Sequence, residues 1–342
     1  MVRVDYQKLF DMVEQCYEKV GVSEEEAKLI TSIQLQADQR GVHSHGIAAL
    51  GRYVGLFERN EMKKAEEHQV VEDRGAVEVW DALRSNGMVT AARAMQAAID
   101  KAKQYGIGAV GVRHANHLGA GAYYSLMAKD QGMIGVALST GGPTMAPWGG
   151  AEKAIGNNPL AMSVPANEVY PLTLDMAQSV VAYGRVMNLK KQGEKEIPAG
   201  WGLDRNGLPT TDINEFYSVM PTGAYKGFGS SLMIDVLAGL LFEGGVGAKA
   251  DDDADGCSFF MLAINVDFFT DPEAFRNRVD ERVKELKSVR PAANSRGIFM
   301  PGEIEEMKHA ASLEKVEVIP ENLADANAVA ERLGLAPTEA EA

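Results

Sequence analysis

The sequence contains only two cysteines, Cys16 and Cys257, which are far apart and each lie within an apolar pattern. Two isolated cysteines do not form the disulfide framework of a small secreted protein, and they suit a reducing compartment. The first residues lack the long apolar core of a signal peptide. The most apolar run, residues 228–242, is short for a bilayer span and contains Asp235. We therefore expect a soluble, cytoplasmic protein with no membrane partner.

Basic residues are also scarce, because 34 lysines and arginines stand against 48 aspartates and glutamates and give a formal net charge of −14. Nucleic acids and anionic membranes select basic surfaces, so neither is an expected partner. An acidic chain that binds an anionic small molecule has to do so through a local cluster of donors. With 342 residues, of which 46% are hydrophobic, the chain can bury a large core, and we expect two domains.

Three common catalytic signatures are missing or out of place. The Gly-x-Ser-x-Gly elbow of a hydrolase does not occur. Four of the six histidines form two pairs, His43/His45 and His114/His117, without the i, i+4 spacing or the cysteines of a zinc site, so no metal site is predicted. A Gly-x-Gly-x-x-Gly string at residues 106–111 follows a predicted helix and lies in a predicted strand. A Rossmann phosphate loop has the opposite order, so we reject that interpretation.

The most informative stretch is RGVHSHG, residues 40–46, a short link between two helical patterns. Imidazole exchanges a proton near neutral pH, and a link held between rigid elements is a common place for reactive groups. If the link is extended, His43 and His45 project to one side and Ser44 to the other. Both a chemical role and a structural role as helix caps or packed polar residues fit this pattern.

Hydrophobic periodicity predicts a helical opening followed by alternating helices and strands. The predicted helices cover residues 6–20, 23–39, 47–58, 88–105, 120–130, 179–191, 227–243 and 271–289, and the region 303–335 is again mainly helical. The predicted strands cover residues 107–112, 133–139, 160–164, 172–175, 258–265 and 316–319, with hairpins at 70–81 and around 204–207. An acidic linker is predicted at residues 251–255.

Two glycine-rich segments each open a predicted helix and offer free backbone N–H groups to an anion. One is HANHLGAGAYY, residues 114–124, which follows a strand. The other is GAYKGFGSS, residues 223–231, in which Lys226 lies beside the amides as a candidate phosphate ligand. Close helix packing through small residues explains both segments equally well.

Seven motifs, in order and over nearly the whole chain, resemble the malate/L-lactate dehydrogenase family of the second type. They are RGVHSHG (40–46), HANHLGAGAYY (114–124), APWGGAEKAIGNNPLA (146–161), LDMAQSVVAYGRV (174–186), IPAGWGLDRNGLPTTD (197–212), AYKGFGSSLMIDVL (224–237) and MPGEIEE (300–306). The resemblance implies an α/β (α+β) fold with a mixed sheet and a non-Rossmann NAD(P)-binding architecture. It further implies a mainly helical domain of residues 1–69 plus 300–342 and a sheet domain of residues 70–299.

The resemblance also implies the reaction. The family includes malate, sulfolactate and ureidoglycolate dehydrogenases, diketogulonate reductase and Δ1-piperideine-2-carboxylate reductase. Its members are homodimers that move a hydride between NADH or NADPH and a 2-oxo acid or cyclic imine, while a protein acid supplies the proton. We expect an NAD(P)-dependent dehydrogenase of a malate-, lactate- or sulfolactate-like acid, with NAD preferred. A reductase of a cyclic imine 2-carboxylate and a non-catalytic nucleotide-binding protein stay as alternatives.

Catalytic roles are implied for His45, with Ser44 beside it, and for His117, because family members assign the proton-transferring group to one position or the other. An imidazolium within hydrogen-bond reach would neutralise the charge that develops on a carbonyl oxygen during reduction. The cofactor is expected to contact His117, Leu118, Gly119, Ala120, Gly121, Asp175, Met176, Ala177, Lys226, Gly227, Pro301, Gly302 and Glu303.

One position departs from the family pattern. Many relatives carry an arginine four residues after the signature histidine, in a pattern like SHGxxRL, where it can fork onto a substrate carboxylate. In this sequence that position is Ala49. Arg52, one helical turn further on, is the predicted replacement, and Arg52 and Tyr53 are the predicted substrate contacts. The departure leaves the identity of the substrate open.

Overall fold

The computed structural model describes residues 1–167, 172–250 and 256–340, so the predicted acidic linker at 251–255 lies outside the described residues. The helices of the described ranges are α1 (Tyr6–Lys19), α2 (Glu24–Gln39), α3 (Leu50–Glu58), α4 (Gly87–Tyr105), α5 (Ala122–Asp130), α6 (Tyr183–Lys191), α7 (Tyr225–Ala238), α8 (Pro272–Ser288), α9 (Glu303–Ala311) and α10 (Pro320–Arg332). The strands are β1 (Val2–Asp5), β2 (Gln69–Asp73), β3 (Val77–Asp81), β4 (Ile107–Ala115), β5 (Met133–Ser139), β6 (Leu160–Val164), β7 (Leu172–Met176), β8 (Gly202–Leu203), β9 (Pro209–Thr210), β10 (Ser218–Val219), β11 (Cys257–Asn265) and β12 (Lys315–Val318).

A seven-stranded mixed sheet lies at the centre, in the order β2-β3-β4-β11-β5-β6-β7. β3 and β4 are parallel and are connected by α4, whereas every other neighbouring pair is antiparallel. The late strand β11 is inserted between β4 and β5, so the sheet is not the doubly wound parallel sheet of a Rossmann fold. The predicted mixed-sheet, non-Rossmann α/β fold is confirmed.

The glycine string at residues 106–111 serves close packing. Gly106 ends α4 in the left-handed conformation, with a φ of 81°. A Cβ on Gly108 would lie 2.0 Å from the carbonyl oxygen of Ala98 in α4, and one on Gly111 would lie 2.5 Å from the ring of Phe242. Only glycine permits such an approach, and the rejection of a Rossmann phosphate loop was therefore correct.

The helices of the two chain ends pack on one another, and α2 connects them to α4 and α5 beside the sheet. One continuous group of buried apolar side chains includes Val4 near the N-terminus, Met95 in α4 and Phe259 in β11. The strand β1, which the sequence pattern did not predict, pairs antiparallel with β12 and ties the two chain ends together. The division into residues 1–69 plus 300–342 and residues 70–299 stays a prediction.

A separate small lobe is formed by α6, the three-stranded sheet β10-β8-β9 and the loop at residues 144–155. It has its own buried apolar group, in which Met145 and Ile155 from the loop meet Val186 of α6 and Val219 of β10. The small lobe forms one wall of the main cavity, because Lys153 and residues 179–183 line that cavity.

The segment Tyr225–Phe242 is, by length and composition alone, long and apolar enough to cross a membrane, and 39% of it is buried. It is not one continuous α-helix, because α7 ends at Ala238 and a short 3₁₀ turn covers Leu240–Phe242. The 14 residues of α7 span about 21 Å, against about 30 Å for a hydrocarbon core. Its buried Asp235 accepts a hydrogen bond of 2.8 Å from the Asn158 side chain. These features suit a helix packed on the body of a protein.

Candidate active site

The link between α2 and α3 folds as a series of turns, so the extended arrangement considered above was wrong. The cause is Asp38 near the end of α2, whose side chain is fully buried. Its Oδ1 lies 3.0 Å from His43 Nδ1, and its Oδ2 accepts the Ile47 N–H at 2.8 Å. A Cβ on Gly46 would lie 2.0 Å from the same carboxylate, so only glycine fits there. Anchors on both sides of residues 44–45 therefore bend the link.

The bend brings Ser44 and His45 to the wall of a cavity, where His45 meets His117 from the loop after β4. The Ser44 hydroxyl lies 2.8 Å from His45 Nδ1. The two imidazole rings are stacked, with centroids 5.7 Å apart and an interplanar angle of 26°. Two histidines that are distant in the sequence thus form one pair.

Two groups face Nδ1 of His117 and fix the tautomer of its ring. The Gly119 N–H donates to this atom at 3.1 Å, and the Tyr53 hydroxyl lies 2.7 Å from it. Because a backbone N–H can only donate, Nδ1 has to be an acceptor, and the neutral ring carries its proton on Nε2. Tyr53 is buried and does not line the cavity, although it was predicted to contact the substrate. Its hydroxyl instead orients His117.

The surroundings of both imidazoles favour the neutral form. Burial lowers the pKa of His45, and the nearby Arg52 guanidinium lowers it further. The pKa of His117 is lowered well below its usual value by burial, and additionally by the charges of Arg52 and His45. Two rings this close do not both carry a positive charge readily, so the pair takes up its protons one at a time.

The cavity has a volume of about 1130 Å³, which exceeds the roughly 300–1,000 Å³ of sites for single drug-sized ligands. It therefore has room for a dinucleotide together with a small acid. Ser44, His45 and Arg52 line it from the helical side. Ten of the thirteen predicted cofactor contacts also line it, namely His117, Leu118, Gly119, Ala120, Gly121, Asp175, Met176, Ala177, Pro301 and Gly302.

The N-terminus of α5, predicted to offer free N–H groups, already has an anionic neighbour. The Ala122 N–H donates to Asp175 Oδ2 at 2.8 Å, so the expectation of a free amide was wrong at this residue. Asp175 lines the cavity and is exposed to it. Desolvation by the protein atoms around its carboxyl group raises its pKa to about 6, against the opposing effects of the Ala122 N–H and the Arg40 guanidinium, and Glu305 adds to the rise.

Three predicted cofactor contacts, Lys226, Gly227 and Glu303, lie outside the lining of the cavity. Lys226 is exposed and Gly227 is buried at the start of α7. Glu303 accepts the Met300 N–H at 2.9 Å and also pairs with Lys287. Glu303 therefore fixes the segment at residues 300–302, which lines the cavity.

Two cationic cavity residues carry no distinguishing signal in the sequence. Arg40 is the first residue of RGVHSHG, and its side chain is buried and pairs with Glu306 at 2.7 Å. Lys153 extends from the small lobe toward the rings of Tyr183 and Tyr217. Sequence reasoning missed both because burial and neighbours, rather than spacing, mark them out.

The mixed non-Rossmann sheet and the large cavity with paired imidazoles in its wall agree with the nicotinamide-dependent dehydrogenase that the sequence motifs implied. The family profile described as malate/L-lactate dehydrogenase matches residues 4–326. The chain is 34% identical over 350 residues to the malate dehydrogenase of Pyrococcus abyssi, a match that covers 98% of this chain and 96% of the relative. It is 31% identical over 325 residues to the ureidoglycolate dehydrogenase (NAD(+)) of Escherichia coli K12, with 93% of each chain covered.

The structure of sulfolactate dehydrogenase from Methanocaldococcus jannaschii superposes on this chain with a TM-score of 0.89 at 32% identity and covers 98% of both chains. The protein belongs to the malate/L-lactate dehydrogenase family. It is an oxidoreductase of the type that acts on CH–OH groups, and the family resemblance found in the sequence is confirmed.

Proposed function

We propose that the protein interconverts small 2-oxo acids and 2-hydroxy acids with NAD(H) or NADP(H), of which NAD(H) is preferred. The observation that carries this proposal is the His45–His117 pair, with rings 5.7 Å apart, in the wall of a cavity of about 1130 Å³. The names of the relatives specify malate and sulfolactate, which favours a malate- or sulfolactate-like acid here. One relative is named as NAD(+)-dependent, which supports the preference for NAD.

The lining of the cavity fits a dinucleotide. Gly119, Gly121, Gly141 and Gly302 line it, and a backbone without side chains lets a flat ring or a phosphate approach closely. We assign the cofactor to the lining residues at 117–121, 175–177 and 301–302. A bound nicotinamide would supply or accept the hydride. The residues of the chain have to orient the reactants, exclude water and transfer the proton.

We assign transfer of the proton to His45. To His117 we assign a hydrogen bond that its neutral ring donates. Uptake of a second proton by His117 would place it on Nδ1, against the Gly119 N–H. His45 has no such obstacle, because the Ser44 hydroxyl at its Nδ1 can either donate or accept. In reduction, His45 as the imidazolium would donate to the developing oxyanion, and the His117 Nε2–H would stabilise it. In oxidation, neutral His45 would accept the hydroxyl proton.

We assign the substrate carboxylate to Arg52, which lines the cavity one turn after Ala49. The charge of Arg52 lowers the pKa of both imidazoles. A carboxylate paired with Arg52 would offset that charge and raise the affinity of His45 for a proton. Binding of the acid would thus generate the proton donor at the moment when it is needed.

We further propose that the protein is a homodimer that associates through α7 and the turn after it. This segment exposes the apolar side chains Leu232, Met233, Val236, Leu237, Leu240 and Leu241. A contiguous apolar patch suits a protein partner, and a twofold axis pairs the patch with itself. Lys226 lies exposed at the start of α7, outside its own cavity, and we assign its predicted cofactor contact to the cavity of the partner. Gly227 is buried against its own chain, so we assign it a packing role instead.

The test is a panel of oxaloacetate, pyruvate, sulfopyruvate and Δ1-piperideine-2-carboxylate, followed by the absorbance of the reduced nicotinamide. We expect turnover of a 2-oxo acid, and a loss of about 100-fold or more in kcat for His45→Ala, as for loss of a general acid. His117→Ala should lower kcat strongly as well. His68→Ala is the control, since His68 stacks on Trp80 and does not line the cavity.

Each alternative gives a different result in the same panel. Turnover of the cyclic imine alone would favour the reductase. Binding of the cofactor without turnover of any compound would favour the non-catalytic nucleotide-binding protein. Near-normal rates in both histidine variants would contradict the assigned chemistry.

A further inference from the structure

We propose that Lys153 of the small lobe forms an anion-binding subsite in the wall of the cavity and takes an oxyanion. The ligand is either a phosphate of the cofactor or the distal acidic group of a substrate. This inference rests on the proposed function, because that function supplies both ligands. Lys153 would then be a specificity-determining residue in the wall of the cavity that the small lobe forms.

The ammonium group of Lys153 lies against the faces of two aromatic rings. Its Nζ lies 4.8 Å from the ring centroid of Tyr217 and 5.5 Å from that of Tyr183. Lys153 and Tyr183 both line the cavity. Within the described ranges of the chain, no carboxylate lies within 4 Å of this ammonium. Among the described residues, the ammonium group of this cavity lysine thus has no carboxylate partner.

Two neighbouring arginines of the small lobe repeat this arrangement. Arg205 Cζ lies 4.8 Å from the ring centroid of Tyr217, and Arg185 Cζ lies 5.3 Å from that of Trp201. Neither arginine forms an ion pair with a carboxylate of the described residues. Residues 144–155 and 183–219 of the lobe contain six basic and six acidic side chains, and these three cations lie against aromatic rings rather than in ion pairs with described carboxylates.

Aromatic faces and carboxylates have different consequences for a cation. A carboxylate neutralises the charge, whereas a ring face attracts the cation through its quadrupole and leaves the net charge in place. The potential of Lys153 therefore extends into the cavity and attracts an anion there. Tyr183 and Tyr217 also restrict the long flexible side chain, so less conformational entropy is lost when a ligand binds.

A purely structural role makes a different prediction. If Lys153 only packs its aliphatic stem between the tyrosines, methionine of similar length should replace it without effect on ligands. If its charge holds an oxyanion, Lys153→Met should weaken the ligand while the fold persists, and Lys153→Arg should retain most of the affinity. Lys190→Met is the matched control, because Lys190 is an exposed lysine of α6 that does not line the cavity.

Two measurements on the full chain distinguish the two sources of the oxyanion. The first is the Kd of NADH, obtained by fluorescence titration without turnover. The second is the ratio of the KM of oxaloacetate, with two carboxylates, to that of 2-oxobutanoate, with one. The circular dichroism spectrum and Tm of each variant confirm that it is folded.

For a cofactor phosphate, Lys153→Met should raise the Kd of NADH about tenfold, as for loss of one charge-assisted contact, and leave the KM ratio unchanged. For a substrate group, the KM ratio should rise by about the same factor while the Kd of NADH stays constant. If Lys153→Met behaves as Lys190→Met in both measurements, the proposal is overturned.

Failure of the proposed function gives a separate signature. A wild-type protein that binds NADH but turns over no 2-oxo acid refutes the proposed function. The NADH titration alone then tests whether Lys153 binds an oxyanion. If the wild type does not bind NADH either, calorimetry with inorganic pyrophosphate tests whether the subsite exists. Heat of binding from the wild type but not from Lys153→Met supports the subsite, and equal heats, or none from either protein, overturn it.

Discussion

Exchange of Gly46 for alanine tests whether Asp38 positions the histidine link. The added Cβ would lie 2.0 Å from Asp38 Oδ2 and 2.1 Å from its Cγ, far inside the ordinary contact distance of roughly 3.5 Å. The φ of Gly46 is −87°, outside the left-handed region that favours glycine, so the contact with Asp38 is the main effect expected of the added Cβ. Either the carboxylate or the link has to move.

The hydrogen bonds of Asp38 set the size of the effect. If the carboxylate turns away, it loses the Ile47 N–H at 2.8 Å and His43 Nδ1 at 3.0 Å. Hydrogen bonds to a charged group contribute about 1.5–3 kcal/mol each, so the free energy of unfolding should fall by about 3–6 kcal/mol. If the link moves instead, the loss of stability is smaller, but Ser44 and His45 leave the cavity wall and turnover falls.

Urea denaturation and turnover of the same preparation detect both outcomes. Gly184→Ala in α6 is the control, because its Cβ meets no atom within 4 Å and alanine in a helix should be neutral or add about 0.5–1 kcal/mol. In an Asp38→Ala background, Gly46→Ala should lower the free energy of unfolding only slightly, because the contact between the added Cβ and the carboxylate no longer exists. A Gly46→Ala protein with the stability and turnover of the wild type would refute this account of the link.

Three further predictions concern charge and surface. Glu306→Ala leaves the buried Arg40 without the carboxylate that lies 2.7 Å from it. The free energy of unfolding in urea should fall by about 2–4 kcal/mol, somewhat below the value for fully buried pairs. An unchanged midpoint of urea denaturation would contradict this prediction. The pKa of Asp175 is raised from its ordinary 3.8 to about 6, so its contribution to stability is fully present below pH 3.8 and is lost as the pH rises through 6. Asp175→Asn should therefore raise the Tm relative to the wild type more at pH 8 than at pH 5, and an equal difference at both pH values would exclude this effect. Met233 lies on the exposed face of α7, and 56% of it is accessible. Met233→Lys should therefore convert the dimer into a monomer, as measured by sedimentation velocity. A wild-type protein that sediments as a monomer would contradict the proposed dimer.

Local elements of the fold could be predicted from the sequence where a strong periodicity decides them. Helix α4 and strand β5 were placed to within a residue, because their apolar spacing and flanking turn residues agree. The short strand β1 was missed, since its partner β12 lies at the other end of the chain. The place of β11 between β4 and β5 is likewise a long-range pairing that no local pattern specifies.

The members of the candidate site could be proposed from the sequence, but their arrangement could not. His45 and His117 stood out by residue type and family resemblance, whereas their contact depends on the bend that Asp38 imposes. Tyr53 was predicted, with Arg52, to contact the substrate, yet its hydroxyl lies 2.7 Å from Nδ1 of His117. The importance of Lys153 lies in the rings around it, which come from other parts of the small lobe.

Deuterium transfer tests the central claim most directly. The protein is incubated with a 2-oxo acid and with NADH or NADPH that carries deuterium at both C4 positions, and the 2-hydroxy acid formed is analysed by mass spectrometry. We predict a product with deuterium at C2 from the wild type, and almost none from the His45→Ala/His117→Ala double variant. A wild-type protein that forms no labelled product from any acid of the panel with either cofactor, or a double variant that forms it at the wild-type rate, would contradict the account.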